Sequence, residues 1–238
     1  MLNIIQSKEK YCVFDIGTDK LVCLFFKIKD NKPYILGMDH QKSNGFLNNN
    51  EIDQHKLSLT IAKAVKKSLP KNSKISDYKC FSNLTDINLI SKKNYSEIYS
   101  GKIAITKKDI RKIFKKSIIE SKLRGRYLLH SYPLNFRINN KITNDPLGQE
   151  CDRFGILSFN VYSSYNLFEV INKCFKNQKI NIKSYFDSGI ASSQANLTNT
   201  EKTKGVACID IGAKTSKITA FVDEKIVYSK VVAIGGEH

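Results

Sequence analysis

Cys12-Val13-Phe14-Asp15-Ile16-Gly17-Thr18 decides the fold, because the chain writes this stretch twice. It returns as Ala207-Cys208-Ile209-Asp210-Ile211-Gly212-Ala213. In both copies an apolar run ends in Asp-Ile-Gly and a polar turn follows. A second apolar run then leaves the turn, Leu21 to Ile28 in one case and Ile218 to Val222 in the other. The copies lie near opposite ends of the chain, so a half-fold is duplicated rather than a short repeat. A strand that delivers an acid to a glycine turn has a chemical use. Glycine lets the backbone approach a ligand closely, and successive turn N–H groups cradle phosphate oxygens. The aspartate then stands where a phosphate-bound Mg²⁺, keeping its waters, takes a carboxylate. Two such hairpins face to face would clamp a nucleotide. Two ordinary hairpins with an Asp-containing turn are the plainer alternative.

A chain of 238 residues has room for one large domain or two small ones. Its formal charge of +17 suggests nucleic acid or an anionic membrane at first sight. The make-up of that charge argues against specific nucleic-acid binding. Only five of the 39 basic residues are Arg (Arg111, Arg124, Arg126, Arg137 and Arg153), and the Lys are scattered among Asn and Ile. Arg is the residue that reads base edges, while weak attraction to acidic lipid headgroups is compatible with Lys. The six cysteines read as reduced thiols, with no Cys-x-x-Cys pair for zinc. Met1 to Lys10 lacks the apolar core of a secretory signal, and no apolar run approaches membrane-spanning length. A cytoplasmic protein is expected.

Three strand-like runs open the chain, Tyr11–Gly17, Lys20–Ile28 and Pro33–Asp39. Asp53 then reads as the N-cap of a helix carrying Leu57, Ile61, Val65 and Leu69 on one face, and Tyr78–Leu84 as a fourth strand. Residues 86–160 read as a separate α+β insertion. It holds a short strand at Ile103–Ile105, a capping box at Thr106 and Asp109, and a helix bearing Ile110, Ile113, Phe114 and Leu123. A strand from Tyr127 to Ile138 follows, at a sheet edge because of Pro133. A turn at Asn144–Gly148 and a returning strand from Arg153 to Tyr162 complete the unit. The first lobe then resumes over 161–204. A helix carries Leu167, Val170, Ile171, Cys174 and Phe175, Ile180–Ser184 is a strand, Ser188–Leu197 a small-residue helix, and Thr198–Lys204 a polar loop. From Gly205 only strands are expected, Val206–Gly212, Ser216–Phe221 and Lys225–Ile234. A meander without a covering helix leaves an apolar face bare. The expectation is therefore a truncated chain in four parts. These are the first lobe over 1–85 and 161–204, the insertion over 86–160, and the start of a second lobe over 205–238.

Two Asp-Ile-Gly hairpins bracketing an α/β lobe resemble the superfamily of actin, sugar kinases and heat-shock ATPases. The insertion follows the fourth strand, as in the FtsA family of bacterial cell-division proteins. Actin instead carries its extra subdomain between the third strand and the first helix. The strings "DIGTDKLVCLF", "RYLLHSYPLNFRI", "NDPLG", "GIASSQANLT" and "VVAIGGEH" resemble that family in order and spacing from about Tyr11 to His238.

The resemblance implies an α/β fold with an actin-like (ribonuclease H-like) lobe, an inserted α+β subdomain and the opening strands of a second lobe. It implies binding of ATP with Mg²⁺, at most slow hydrolysis, and self-association into filaments. It also implies attachment of FtsZ and other division proteins to the inner face of the cell membrane at the division site. In the family this uses a C-terminal amphipathic helix and a fourth subdomain, neither of which is in this sequence.

By motif, Asp15, Gly17, Thr18 and Lys20 match the first phosphate loop, and Asp210, Gly212 and Thr215 the second. Asp15 and Asp210 would face Mg²⁺ through water. Asp187 matches an acid or amide that orients water, with a plain helix cap as the alternative. Gly235 and Gly236 would approach the nucleotide, or simply form a turn. Asp19 departs from the usual Ser. Ala213 and Lys214 depart from a Gly-rich second loop, although Lys214 can offset phosphate charge. The four histidines (His40, His55, His130 and His238) form no constellation, and His130 reads as structural. A small-molecule kinase is the enzymatic alternative, lacking a candidate base beside an acceptor hydroxyl. An actin-like pilus-assembly protein is the other. Lys107, Lys108, Lys112, Lys115 and Lys116 form either a solvated helix face or a docking face for an acidic partner.

Overall fold

A computed structural model describes residues 9–46 and 51–237 of the chain. Of the expectations above, those for residues 1–8 and for His238 lie outside the described residues. The apolar runs of the first half form β1 (Lys10–Ile16), β2 (Lys20–Lys29), β3 (Lys32–Lys42) and, beyond the helix α1 (Gln54–Ser68), β4 (Tyr78–Asn83). Asp53 caps α1 by accepting the Lys56 N–H at 3.0 Å. Leu57, Ile61 and Ala64 on one face of α1 are fully buried. The end of α1 lies so close to β3 that a Cβ on Gly37 would come within 2.0 Å of the Ser68 carbonyl oxygen. Only glycine permits that approach.

The insertion is built from β5 (Ile90–Ala104), α2 (Lys107–Glu120), β6 (Arg126–Ile138), β7 (Lys141–Thr143) and β8 (Glu150–Ser164). Beyond it come α3 (Tyr165–Asn177), β9 (Ile182–Phe186), α4 (Ser188–Asn196), α5 (Asn199–Lys204), β10 (Val206–Ile211), β11 (Ser216–Val222) and β12 (Lys225–Val232). They make three sheets, ordered β3-β2-β1-β4-β9, β5-β8-β6-β7 and β10-β11-β12. In the first, β1 pairs antiparallel with β2 and β2 with β3, while β1–β4 and β4–β9 are parallel. The C-terminal ends of β1, β4 and β9 therefore share one edge, where α/β sheets bind their ligands.

One continuous core joins the three sheets. It contains Phe14, Phe25 and Phe175 from the lobe, Phe159 and Val161 from the insertion, and Phe221 and Val231 from the last sheet. The insertion also has its own small core around Ile113, Phe154 and Ile156. Tyr127 of β6 stacks on Phe168 of α3 at 3.8 Å, fastening the insertion to the lobe.

Four local expectations need correction. The strand expected at Ile103–Ile105 is the end of a 15-residue strand, β5. Its inward positions include Asn94 and Ser96, and Asn94 hydrogen-bonds Ser117, so the apolar alternation that marks a strand is missing. Leu123 lies beyond the end of α2, which stops at Glu120 with Ser121 as its cap. Thr198–Lys204 is not a loop, because Thr198 and Glu201 form a capping box that starts α5. The last sheet does leave an apolar face bare, but it is not without a covering helix. Its other face packs against α4 and α5, whereas Ile209, Ile211, Val222 and Tyr228 are exposed. Pro133 does sit at a bulge in β6, where pairing to β7 has not begun.

Candidate functional site

Each Asp-Ile-Gly turn closes through the same bond. The Gly17 N–H donates to the Lys20 carbonyl at 2.9 Å, and the Gly212 N–H to the Thr215 carbonyl at 2.9 Å. A Cβ at Gly17 would come within 3.1 Å of that oxygen, and one at Gly212 within 3.0 Å. A side chain at either position would press on the carbonyl that closes its turn.

The two aspartates are held differently. Asp15 is exposed at the end of β1, and its Oδ1 accepts from the Asn83 side-chain amide at 2.6 Å. Asn83 Oδ1 in turn accepts the Ile16 N–H at 2.7 Å. Asn83 is buried at the end of β4, so one amide ties the end of β1 to the carboxylate beside it. Sequence reasoning missed this residue. The available signal was a polar Ser82-Asn83 ending to an apolar strand. Asp210 instead pairs with Lys217, its cross-strand neighbour, at 3.5 Å.

A cleft of about 440 Å³ brings the turns together, with Thr18 of the first and Thr215 of the second both lining it. Its polar wall includes Thr85, Asp86 and Asn88, just past β4, and its apolar wall includes Phe46, Ile52 and Leu167. Asp86 is buried and fixes that wall. Its carboxylate accepts from the Asn88 N–H, the Ser163 hydroxyl and the Ser164 N–H, joining the start of the insertion to its end. Of the residues expected to contact nucleotide, Thr18 and Thr215 line the cleft. Asp15, Gly17, Lys20, Asp210, Gly212, Lys214, Gly235 and Gly236 are not among its lining residues.

Gly235 packs on the second turn, where a Cβ would come within 2.3 Å of the Ala213 carbonyl oxygen. The next two amides, Gly236 and Glu237, donate to the Gly212 and Ala213 carbonyls at 2.9 Å each. These glycines buttress the turn.

Asp187 caps α4, its Oδ1 accepting the Ile190 N–H at 2.8 Å. The side chain is buried and Oδ2 has no hydrogen-bond partner, so burial pushes its carboxyl above the usual range, partly opposed by that N–H and by Lys217. His130 Nε2 accepts the Asp187 N–H at 2.9 Å, and burial lowers the imidazole pKa to about 4. The His130 imidazole thus reaches a candidate site residue.

No family model matches the chain. Over its full length it is 23% identical to the cell division protein FtsA of Agrobacterium fabrum, covering 56% of that protein. Over 98% of its length it is 27% identical to FtsA of Buchnera aphidicola, again covering 56%. Over 113 residues, 48% of the chain, it is 31% identical to FtsA of Helicobacter pylori. The chain thus spans little more than half the length of the relatives it matches end to end. Among solved structures, a PilM-PilN type IV pilus biogenesis complex superposes with a TM-score of 0.63 at 11% identity. That match covers 98% of this chain and 63% of the other. Sheet order, strand senses and the paired turns make the chain an α/β protein of actin-like fold. Within that class its sequence is similar to that of the cell division protein FtsA.

Proposed function

We propose that the chain is the nucleotide-binding part of an actin-like cell-division protein, which takes ATP with Mg²⁺ between its two Asp-Ile-Gly turns. The observation that carries this reading is the shared cleft, lined by both Thr18 and Thr215 and with a volume in the range of small-ligand sites. The donor set suits such a ligand. Two carboxylates, Asp15 and Asp210, flank the turns, and no cluster of three or more metal-binding side chains exists among the described residues. A pair of carboxylates suits Mg²⁺, which keeps its waters and leans on phosphate oxygens. In this reading Thr18 and the turn amides hold phosphate, and Lys20 and Lys214 offset its charge. Asn83 fixes Asp15, and Lys217 fixes Asp210. Asp187, buried with one oxygen unpaired, orients water, and hydrolysis is slow. Gly235 and Gly236 act by supporting the second turn.

Titration of the protein with fluorescent ATP tests this directly. Saturable, Mg²⁺-dependent binding is expected, weakened at least about tenfold in Asp15→Ala by loss of a charge-assisted contact. Equal binding by wild type and Asp15→Ala would overturn it.

The names of the relatives support a role in cell division. On that basis we assign the whole protein to linking FtsZ and other division proteins to the inner face of the cytoplasmic membrane, as a self-associating scaffold. Among the described residues no helix is long and apolar enough to cross a membrane. Co-precipitation of FtsZ with the protein tests the partner, and failure to recover it at any nucleotide state counts against the assignment. A pilus-assembly role has the fold likeness alone in its favour.

A further inference from the structure

The first turn of α4 lacks the usual local partner for its cap. In α2 and α5 the N-cap N–H is taken by an acid three residues on, Asp109 and Glu201. In α4 that position is Ile190, which offers no side-chain acceptor. The Asp187 N–H is satisfied instead from 57 positions away, by Nε2 of His130 on β6. A bulge between Leu128 and His130 precedes the imidazole, and bulges re-aim side chains. Tyr132 stacks beside the ring at 5.6 Å.

The same helix end touches the cleft and the second turn. Ser188 Oγ hydrogen-bonds Oγ1 of Thr85, a cleft residue, at 2.9 Å. A Cβ on Gly189 would lie 2.8 Å from the Lys217 Cβ and 3.3 Å from Thr219 Oγ1. Lys217 carries the ion pair to Asp210. The inserted sheet also grips β12, where Ser91 Oγ donates to the Ser229 carbonyl at 3.0 Å.

We propose that His130 is a positioning residue of the cleft: by accepting the Asp187 N–H it fixes the first turn of α4, and through Lys217 the second Asp-Ile-Gly turn, so that the inserted sheet sets the geometry of the nucleotide site. This rests on the nucleotide reading above. It requires an imidazole that is neutral with its proton on Nδ1, the form that leaves Nε2 an acceptor. A displacement of the inserted sheet, by a partner or a neighbouring subunit, is then felt at Asp187 and Asp210.

The test uses wild type, His130→Leu, which removes the acceptor, and His130→Gln, whose amide oxygen replaces it. In nucleotide-free protein, amide exchange across Asp187–Ile190 is expected to quicken about tenfold in His130→Leu and to stay near wild type in His130→Gln. Affinity for Mg²⁺·ATP is expected to fall about tenfold in His130→Leu and to be largely restored in His130→Gln. Both variants lose ring packing, so a purely structural role would weaken both alike. Should His130→Leu fail to fold, nitrogen NMR of the wild-type imidazole decides. A proton on Nδ1 at pH 7 supports the assignment, and one on Nε2 overturns it. Faster exchange with unchanged affinity also overturns it. If wild type itself does not bind Mg²⁺·ATP, the nucleotide reading falls, and the exchange arm alone decides whether His130 fixes α4.

Discussion

Replacing Asn83 by alanine strikes the junction of β1, β4 and the first turn. The substitution deprives the Ile16 N–H of its acceptor at 2.7 Å and the Asp15 carboxylate of its donor at 2.6 Å. Ile16 and Asn83 are 4% and 2% exposed, so water does not readily replace the lost partner. A buried donor left unpaired costs about 1–3 kcal/mol, and a bond to a charged group contributes about as much. Asp15 is exposed and discounts the second figure. A loss of about 3 kcal/mol is expected, which lowers Tm by roughly 6–12 °C in a chain of this size. Thermal unfolding followed by circular dichroism reads it. Asn83→Asp sharpens the test. It keeps an acceptor for Ile16 but sets a second carboxylate against Asp15. Like charges raise the folded pKa of the pair above its unfolded value, so stability falls as pH rises through the carboxylate range and returns on acidification. If Asn83→Ala unfolds within about 0.5 kcal/mol of wild type, and Asn83→Asp shows no added pH dependence, Asn83 does not organise this turn.

Three further outcomes follow from packing, capping and titration. Leu57→Ala removes a fully buried side chain from the face of α1 and should cost about 2–5 kcal/mol in urea unfolding. Thr198→Ala breaks the capping box of α5 and should cost about 1 kcal/mol, with faster amide exchange confined to residues 199–204. His130 has a folded pKa of about 4 against 6.5 when unfolded. The unfolded chain therefore binds the extra proton, and stability is full above pH 6.5, falls between 6.5 and 4, and levels off below. The span corresponds to about 3 kcal/mol. It is read as the difference between wild type and His130→Gln, so that other titrating groups cancel.

What the sequence made legible was local. Both Asp-Ile-Gly turns carry their glycines and flanking apolar runs within a few residues, and the caps at Asp53 and Thr106 announce α1 and α2. What stayed hidden depends on partners far along the chain. Asn83 matters because parallel pairing sets the end of β4 beside that of β1, which no local pattern reveals. His130 gains its role from a peptide N–H brought up by α4. The long strand β5 faces inward with Asn94 and Ser96, and the Asn94 amide donates to Ser96 on its own strand and to Ser117 across the interface. Period-two hydrophobicity cannot detect a strand whose core side is polar. The meander at the end was legible as strands. Its covered face was not, because α5 is six polar residues long and has no apolar stripe to mark it as a packed helix.

The central claim is that two carboxylate-tipped hairpins hold one ligand between them. Hydrogen–deuterium exchange of the protein with and without Mg²⁺·ATP measures this at both places in a single experiment. The account predicts that amides over residues 16–20 and 211–216 gain protection together, along one saturation curve. Protection of only one turn, or of neither while ATP is bound, contradicts it.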